Sequence, residues 1–348
     1  MNAADNDNSL RGVIAAAAAD PEQDWRAAMR DLVTTPMALC EALQLRAEQI
    51  GWSDAAARDF PLRVPRAFLA RMTPGDPQDP LLLQVLAETR ELQPVSGYGP
   101  DPTGEIGAAN PHPGIIHKYR GRVLLLVTGS CAIHCRYCFR RHFPYADNQN
   151  SRDEWPEALA YIAADSSISE VILSGGDPLV AGDTHLAELV AQLATIPHLR
   201  RLRVHTRLPV VIPARITPAL LEALSHPRLQ TVMVVHCNHA KEIDAAVAGA
   251  FAQIRQQGMT LLNQAVLLAG VNDSATALAQ LSERLFEAGA LPYYLHLLDR
   301  VAGAAHFEVS VDRARALHRE ISTVLPGYLL PRLVQEVAGA PAKVPLPR

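Results

Sequence analysis

Six short apolar runs recur along the second two-thirds of the chain, and they limit its fold more than any other feature. They are Arg122–Thr128 (RVLLLVT), Glu170–Ser174 (EVILS), Arg201–Thr206 (RLRVHT), Thr231–Cys237 (TVMVVHC), Leu261–Leu268 (LLNQAVLL) and Pro292–Leu298 (PYYLHLL). Segments with helical spacing of apolar residues separate them. Runs this apolar suit strands covered on both faces, and the intervening helices supply right-handed crossovers to a parallel sheet. Six such units give an α/β fold, a partial parallel (β/α)6 barrel, where eight would close the usual form. Ligand-handling residues in parallel barrels sit at the C-terminal ends of strands. Those ends read Cys131–Cys138, Ser174–Asp177, His205–Arg207, His236–His239, Gln264 and Asp299.

A chain of 348 residues has room for more than the barrel. Residues 1–110 read as a mainly helical N-terminal region and linker. The segment GYGPDPTGEIGAANPHPGIIHKY, rich in Gly, Pro and Asn, marks a domain-linking excursion. The barrel core is expected over 111–309, and a C-terminal helix and tail over 310–348. A net charge of −4 argues against a general nucleic-acid binder, which needs basic surface to neutralise phosphates. No run reaches the roughly 18 uncharged apolar residues of a membrane span, and the N-terminus lacks the pattern of a signal peptide. With clustered thiols, this composition reads as a cytoplasmic protein in a reducing compartment.

The stretch after the first run, CAIHCRYCFRRHFPY (131–145), sets Cys131, Cys135 and Cys138 at the spacing C-x3-C-x2-C, three of the chain's five cysteines. A loop this short turns three thiolates toward one centre, and thiolates favour iron–sulfur clusters or zinc. Three protein ligands leave one iron of a 4Fe–4S cluster open to substrate or cofactor. The alternatives are a zinc site completed by His134 or His142, or three structural thiols. No second C-x2-C pair occurs to support zinc. SGGD, Ser174 to Asp177, reads alone as an ordinary turn whose glycines permit close backbone approach.

Paired with the cysteine loop, that turn resembles the radical S-adenosylmethionine superfamily. The likeness sharpens over residues 60–348, where HKYRGRVLLLVTGSCAIHCRYCFRRHFPY, VILSGGDPL, RLPVVIPARIT, NQAVLLAGVND, PYYLHLLD and PGYLLPRLVQEVAGAPAKVPLPR resemble the lysine 2,3-aminomutase family. Within the family the chain looks like a short bacterial branch that supplies β-lysine for modifying elongation factor P.

The resemblance implies a radical S-adenosylmethionine barrel and three cofactors. A 4Fe–4S cluster would sit on Cys131, Cys135 and Cys138, with S-adenosylmethionine at its open iron and near Ser174, Gly175, Gly176 and Asp177. Pyridoxal 5′-phosphate would be held covalently by Lys343, with Lys118 and Arg122 at its phosphate. Arg140 matches the arginine that grips the substrate carboxylate, a task suited to its planar fork. Asp299 and Glu336 match the two acids that hold lysine's distal ammonium. Arg207, His236 and Gln264, at later strand ends, would contact a cofactor or satisfy neighbouring backbone groups. Without the resemblance, Lys343 reads as a solvated tail residue, Lys118 and Arg122 as cations flanking a strand, and Asp299 and Glu336 as salt-bridged surface acids. Arg136 and Arg141 are open to ion pairing, and His142, Phe143 and Tyr145 carry no assignment.

The implied reaction is a radical 2,3-amino shift that turns L-lysine into β-lysine, with an electron donor feeding the cluster. Rival readings are a catabolic lysine 2,3-aminomutase, an aminomutase for another amino acid such as glutamate, and a metal-stabilised binding module of the translation apparatus. Acids at both Asp299 and Glu336 favour a cationic side chain. Ser274 stands where longer members carry a zinc-binding cysteine, and the chain ends five residues after Lys343. No structural zinc is therefore expected, with a different or weaker homo-oligomer interface and no required direct contact with elongation factor P.

Overall fold

The computed structural model describes residues 21–148 and 155–346; residues 1–20, which bear on the signal-peptide reading, lie outside them. The N-terminal region is built of short helices at Pro21–Arg30, Pro36–Leu43, Asp54–Asp59, Arg66–Leu69 and Pro80–Leu83. Pro36 and Pro80 occupy first helical turns, where a missing N–H costs nothing. The residues before them cap these turns: Thr35 accepts from the Ala38 N–H at 3.3 Å and Asp79 from the Leu81 N–H at 2.8 Å. Two short strands, β1 (Leu32–Val33) and β2 (Val64–Pro65), pair antiparallel.

The main sheet has nine strands: β3 (Ile115–Tyr119), β4 (Arg122–Thr128), β5 (Glu170–Gly175), β6 (Arg201–Thr206), β7 (Gln230–Val235), β8 (Thr260–Val266), β9 (Leu291–His296), β10 (Arg332–Gln335) and β11 (Val344–Pro345). They lie side by side in chain order, with β4 to β10 parallel and β3 and β11 antiparallel at the two ends. All six expected strands form, with ends shifted by no more than two residues. Helices Trp155–Ala164, Asp183–Ala194, Pro218–Ala223, Ala245–Gln256, Ala275–Glu287 and Val311–Val324 make the crossovers. Thr217, Asp244, Ser274 and Ser310 cap four of them by accepting a backbone N–H three residues on. Ser274, at the place of the longer members' cysteine, is thus a helix cap.

The structure adds strands that the sequence did not announce. β3 lies in the stretch read as a linking excursion, and β10 is a seventh parallel strand inside the segment read as helix and tail. IIHKY breaks its apolar run with His117 and Lys118, and RLVQ is only four residues long, so neither stands out alone; an existing sheet edge supplies their conformation. The two ends of the sheet do not pair through backbone. Side chains close the gap: Lys118 and Tyr119 of β3 both donate to Glu336, just past β10. No helix among the described residues is long and apolar enough to cross a membrane.

Candidate active site

The loop leaving β4 carries the three thiols, free and partly buried. It is braced from two sides. The N–H of His134 donates to the Arg63 carbonyl at 3.1 Å and that of Arg136 to the Gln84 carbonyl at 2.9 Å, so the N-terminal region supports one side. On the other, the N–H groups of Gly176 and Asp177 donate to the carbonyls of Thr128 (2.7 Å) and Ser130 (2.8 Å). Burial first, then the neighbouring thiols, push Cys131 and Cys138 up, Cys138 to about 11. Thiolates gathered this way repel one another, and a bound metal centre relieves that cost.

Neither histidine of the loop joins the thiols. His134 Nδ1 faces the Pro61 carbonyl at 2.8 Å with its ring stacked on Phe60, and His142 Nε2 faces the Ala302 carbonyl at 3.2 Å. Arg136 and Arg141 are both ion-pair partners of buried Glu91, at 2.8 and 3.0 Å. Phe143 packs with Ile116 and Leu126, and the Tyr145 hydroxyl donates to the Gly175 carbonyl at 2.7 Å.

The glycines of SGGD make room for this loop. A Cβ on Gly175 would lie 2.3 Å from the Thr128 carbonyl oxygen, and one on Gly176 would lie 2.3 Å from that of Ser130. Gly175 also takes φ +125°, which side chains disfavour. Gly176→Ala is expected to displace the cysteine loop and reduce the iron retained after reconstitution to less than about half of wild type. Elemental analysis checks this; unchanged iron would show that the close approach is dispensable.

Asp177 faces the fold. Its carboxylate accepts from the Thr206 hydroxyl (2.7 Å) and from the N–H groups of Arg207 (2.7 Å), Leu208 (3.1 Å) and Leu179 (3.1 Å). These four donors fill the acceptor sites of a carboxylate. Asp177 thus ties the end of β5 to the end of β6, and any contact this motif makes with a ligand falls to its backbone and Ser174.

Five charged side chains of alternating sign run through the interior. Arg140 donates from Nε and Nη2 to the two oxygens of Glu105, at 2.6 and 3.0 Å, and from Nη1 to Ser174 Oγ (3.0 Å) and the Gly175 carbonyl (3.3 Å). Lys118 stands 3.5 Å from Glu105 and 2.8 Å from Glu336, and Lys343 lies 3.0 Å from Glu336. Burial would raise the Glu336 carboxyl, but Lys343 and Lys118 bring it down to about 2. The Arg122 guanidinium stacks on the Tyr119 ring at 4.6 Å and has no carboxylate partner among the described residues.

His205, His236 and His296, on or just past parallel strands, form the neutral wall of the same interior. The Gln264 amide donates to His236 Nε2 at 2.9 Å, which puts the ring proton of His236 on Nδ1. Burial, then the charges of Arg207, Arg140 and Lys343, lower His236 to about 3. The Nε2 atoms of His205 and His296 are buried without a partner. Arg207 donates to Cys135 Sγ at 2.7 Å and to Glu242 at 3.0 Å, leaving its own Nε unpaired. Asp299 and Glu336 line one cleft of about 390 Å³ together with Gly97, Tyr98, Gly99, Asp101 and Pro102 of the excursion. Burial, opposed by Lys343 and reinforced by Glu336, pushes the Asp299 carboxyl up to about 7.

The structure therefore brings together Cys131, Cys135, Cys138, Arg140, Ser174, Gly175, Gly176, Arg207, His236, Gln264, Asp299, Glu336, Lys118 and Lys343 around one barrel mouth, with Arg122 at its edge. Sequence reasoning passed over Glu105, Tyr119 and His296, and it placed His205 at a strand end without giving it a role. Of the three, only His296 carried a signal, its place at the end of a strand. The residues fit the cofactors that the resemblance implies. Among the described residues no three His, Cys, Asp or Glu side chains are drawn together as around a single metal ion, so the fit to a cluster rests on donor chemistry: three soft thiols on one loop, with neither loop histidine turned toward them. For a phosphate-bearing aldehyde the fit rests on a spare guanidinium, Arg122, and on an amine, Lys343, directed inward from the tail.

A family model described as the radical SAM superfamily matches residues 125–238. The chain is 51% identical over 325 residues to an L-lysine 2,3-aminomutase of Escherichia coli, covering 93% of this chain and 94% of that protein. It is 50% identical over 322 residues to an L-lysine 2,3-aminomutase of Haemophilus influenzae, with 92% and 95% covered. An L-lysine 2,3-aminomutase of Clostridium subterminale is 32% identical over 326 residues, with 93% of this chain but 77% of that protein covered. With its thiol loop, its seven parallel strands and identity of this extent, the chain belongs to the lysine 2,3-aminomutase family of the radical SAM superfamily.

Proposed function

We propose that the protein is an isomerase that converts L-lysine to β-lysine. The observation that carries this reading is the meeting, at one barrel mouth, of the three-thiol loop, the inward-facing Lys343 and the cleft lined by Asp299 and Glu336. Cys131, Cys135 and Cys138 would hold the 4Fe–4S cluster; the ends of β5 to β8, with Ser174, Gly175, Gly176, Arg207, His236 and Gln264, would hold S-adenosylmethionine. Lys343 would hold pyridoxal phosphate, with Arg122 and Lys118 toward its phosphate. When bound, these groups supply the electron transfer, the hydrogen abstraction and the covalent handling of the migrating amine.

The chain's own residues select and orient the amino acid. Arg140 lies between the thiol loop and Ser174, where it meets an α-carboxylate, while Asp299 and Glu336 attract the distal ammonium. The wall of neutral histidines adds no cation that would repel that ammonium. Gly97, Tyr98, Gly99, Asp101 and Pro102 of the excursion line the same cleft, where they would bound the distal end of the amino acid. Near-complete coverage of the shorter relatives, against 77% of the longer one, supports the further proposal that the β-lysine modifies elongation factor P. We also propose that the enzyme works in the cytoplasm, is fed by a separate electron donor and assembles, where it does, through an interface unlike that of the longer enzymes.

The test is anaerobic reconstitution with iron and sulfide, then pyridoxal phosphate, S-adenosylmethionine, reductant and L-lysine, with β-lysine read by chromatography. No β-lysine from protein carrying both cluster and pyridoxal phosphate would reject the assignment. The same assay checks Asp299. With its carboxyl near 7 it is ionised above that pH and neutral below, and only the carboxylate attracts an ammonium. The apparent KM for lysine is expected to rise as pH falls from about 8 to about 6, by up to about tenfold per unit below 7. Asp299→Asn should raise KM at pH 8 and flatten the profile. An unchanged profile would remove Asp299 from the distal site.

A further inference from the structure

Glu105 lies in the stretch that reads as a linker, yet it is among the most buried carboxylates of the protein, 3% exposed. Its two oxygens take the Nε–Nη2 edge of Arg140 side-on, at 2.6 and 3.0 Å, with Lys118 at 3.5 Å. The turn that carries it is firmly set. Asp101 accepts from the N–H groups of Glu105 (2.8 Å) and Ile106 (2.9 Å), and Gly104, at φ +63°, packs closely on Ala338 of the tail. Arg140 has five N–H donors. Glu105 takes two and Ser174 with Gly175 takes the Nη1 pair, so one Nη2 hydrogen is left over.

We propose that Glu105 is the positioning residue of the substrate-carboxylate anchor. It keeps the side-on edge of Arg140 permanently, so that the guanidinium meets the substrate carboxylate end-on, through its remaining hydrogen beside the Ser174 hydroxyl. Through Lys118 and Glu336 the same carboxylate aligns the anchor with Lys343. This deepens the proposed function and rests on Arg140 as the anchor. A side-on bidentate grip on the substrate would instead require Glu105 to leave, carrying a buried charge from two cations, and an end-on bidentate grip would require an Nη1 hydrogen to leave Ser174 or Gly175.

The test needs neither radical chemistry nor turnover. Pyridoxal phosphate-loaded protein, without S-adenosylmethionine or reductant, is titrated with L-lysine and with L-lysinamide, which has the same amines and no carboxylate, and the visible absorbance shift is read. Wild type is expected to prefer lysine by at least about tenfold, the scale of one charge-assisted contact. Glu105→Gln should reduce that preference to within about twofold, largely by weakening lysine. In an Arg140→Gln background the same change should have no further effect on the preference. Glu105→Asp, which keeps the charge and folds more readily, should lose part of it. Tighter lysine binding in Glu105→Gln would mean that Glu105 competes with substrate, and a retained preference would mean that it does not position Arg140; either overturns the proposal. No preference in wild type would remove the Arg140 assignment and this proposal with it, whereas failure of the β-lysine assay alone, with the preference intact, would reject only the reaction.

Discussion

Lys343→Ala is expected to abolish covalent retention of pyridoxal phosphate and to lower β-lysine formation by at least about a thousandfold, the scale on which loss of a group essential to a covalent step acts. The chain contains three lysines, Lys118, Lys241 and Lys343. Lys241 is engaged by Thr73 and Asp79 in the N-terminal region. Lys118 is held between two acids, Glu105 at 3.5 Å and Glu336 at 2.8 Å, so its amine is engaged on both sides. Lys343 has one acid, Glu336 at 3.0 Å, and its charge reaches His205, His236, His296 and Asp299, so its amine is directed at the middle of the site. Burial from surrounding tail and strand is modest enough, at 24% exposure, for a ligand to reach it. Borohydride trapping followed by peptide mapping checks the prediction. A label that persists in the variant would move the attachment to Lys118 or Lys241 and sink the assignment. Lys343→Arg should fail equally, because a guanidinium keeps the charge but not the nucleophilic amine.

Cys135→Ala should cost as much, for a different reason. Two thiolates do not hold a cluster whose assembly and binding are the same equilibrium, so the purified variant should lack iron–sulfur absorption and form no β-lysine above background. Cys135 is the informative choice of the three. Its sulfur takes the Arg207 N–H at 2.7 Å, and Arg207 is itself fixed by Glu242 and Gln84. The substitution therefore leaves a buried cation with its acid partner intact, and the fold should survive, as a thermal melt can verify. Cys40→Ala, on the helix Pro36–Leu43, is the control and should keep full iron. A Cys135→Ala protein with wild-type iron and activity would return the loop to a structural role.

Much of this was legible in the chain. The six apolar runs became strands at the expected places because each is long enough to show its burial pattern without help from neighbours. β3 and β10 were missed because IIHKY breaks its apolar run with His117 and Lys118 and RLVQ is only four residues long, and a waiting sheet edge makes them strands. The glycines of SGGD have a task that the sequence reading did not give them. They admit the Thr128 to Ser130 backbone of the cysteine loop, and the aspartate beside them joins two strands. Tyr145, without a task in the sequence, holds the Gly175 carbonyl.

The excursion at 97–107 was the largest misreading of character. Its Gly, Pro and Asn content reads as a connector, yet it lines the acid-bearing cleft and contributes Glu105. Composition reports how freely a segment bends and is silent on where it comes to rest. The same limit applies to Glu336. Family likeness gives it to the substrate's ammonium, and the structure surrounds it with Lys118, Tyr119 and Lys343, so it also joins the two ends of the sheet.

Likeness to the family, not spacing, singled out Lys343; the sequence by itself determined the parallel α/β architecture and the three-thiol loop. Both depend on spacing within a few residues, which backbone geometry converts directly into local structure. Only the tertiary structure decided the pairing of charges: Arg140 with Glu105, 35 residues apart, and Lys118 with Glu336, 218 apart. Ion pairs are fixed by proximity in a low-dielectric interior, not by separation along the chain. A lysine or glutamate in a string of letters does not reveal its partner until the sheet has brought the two together.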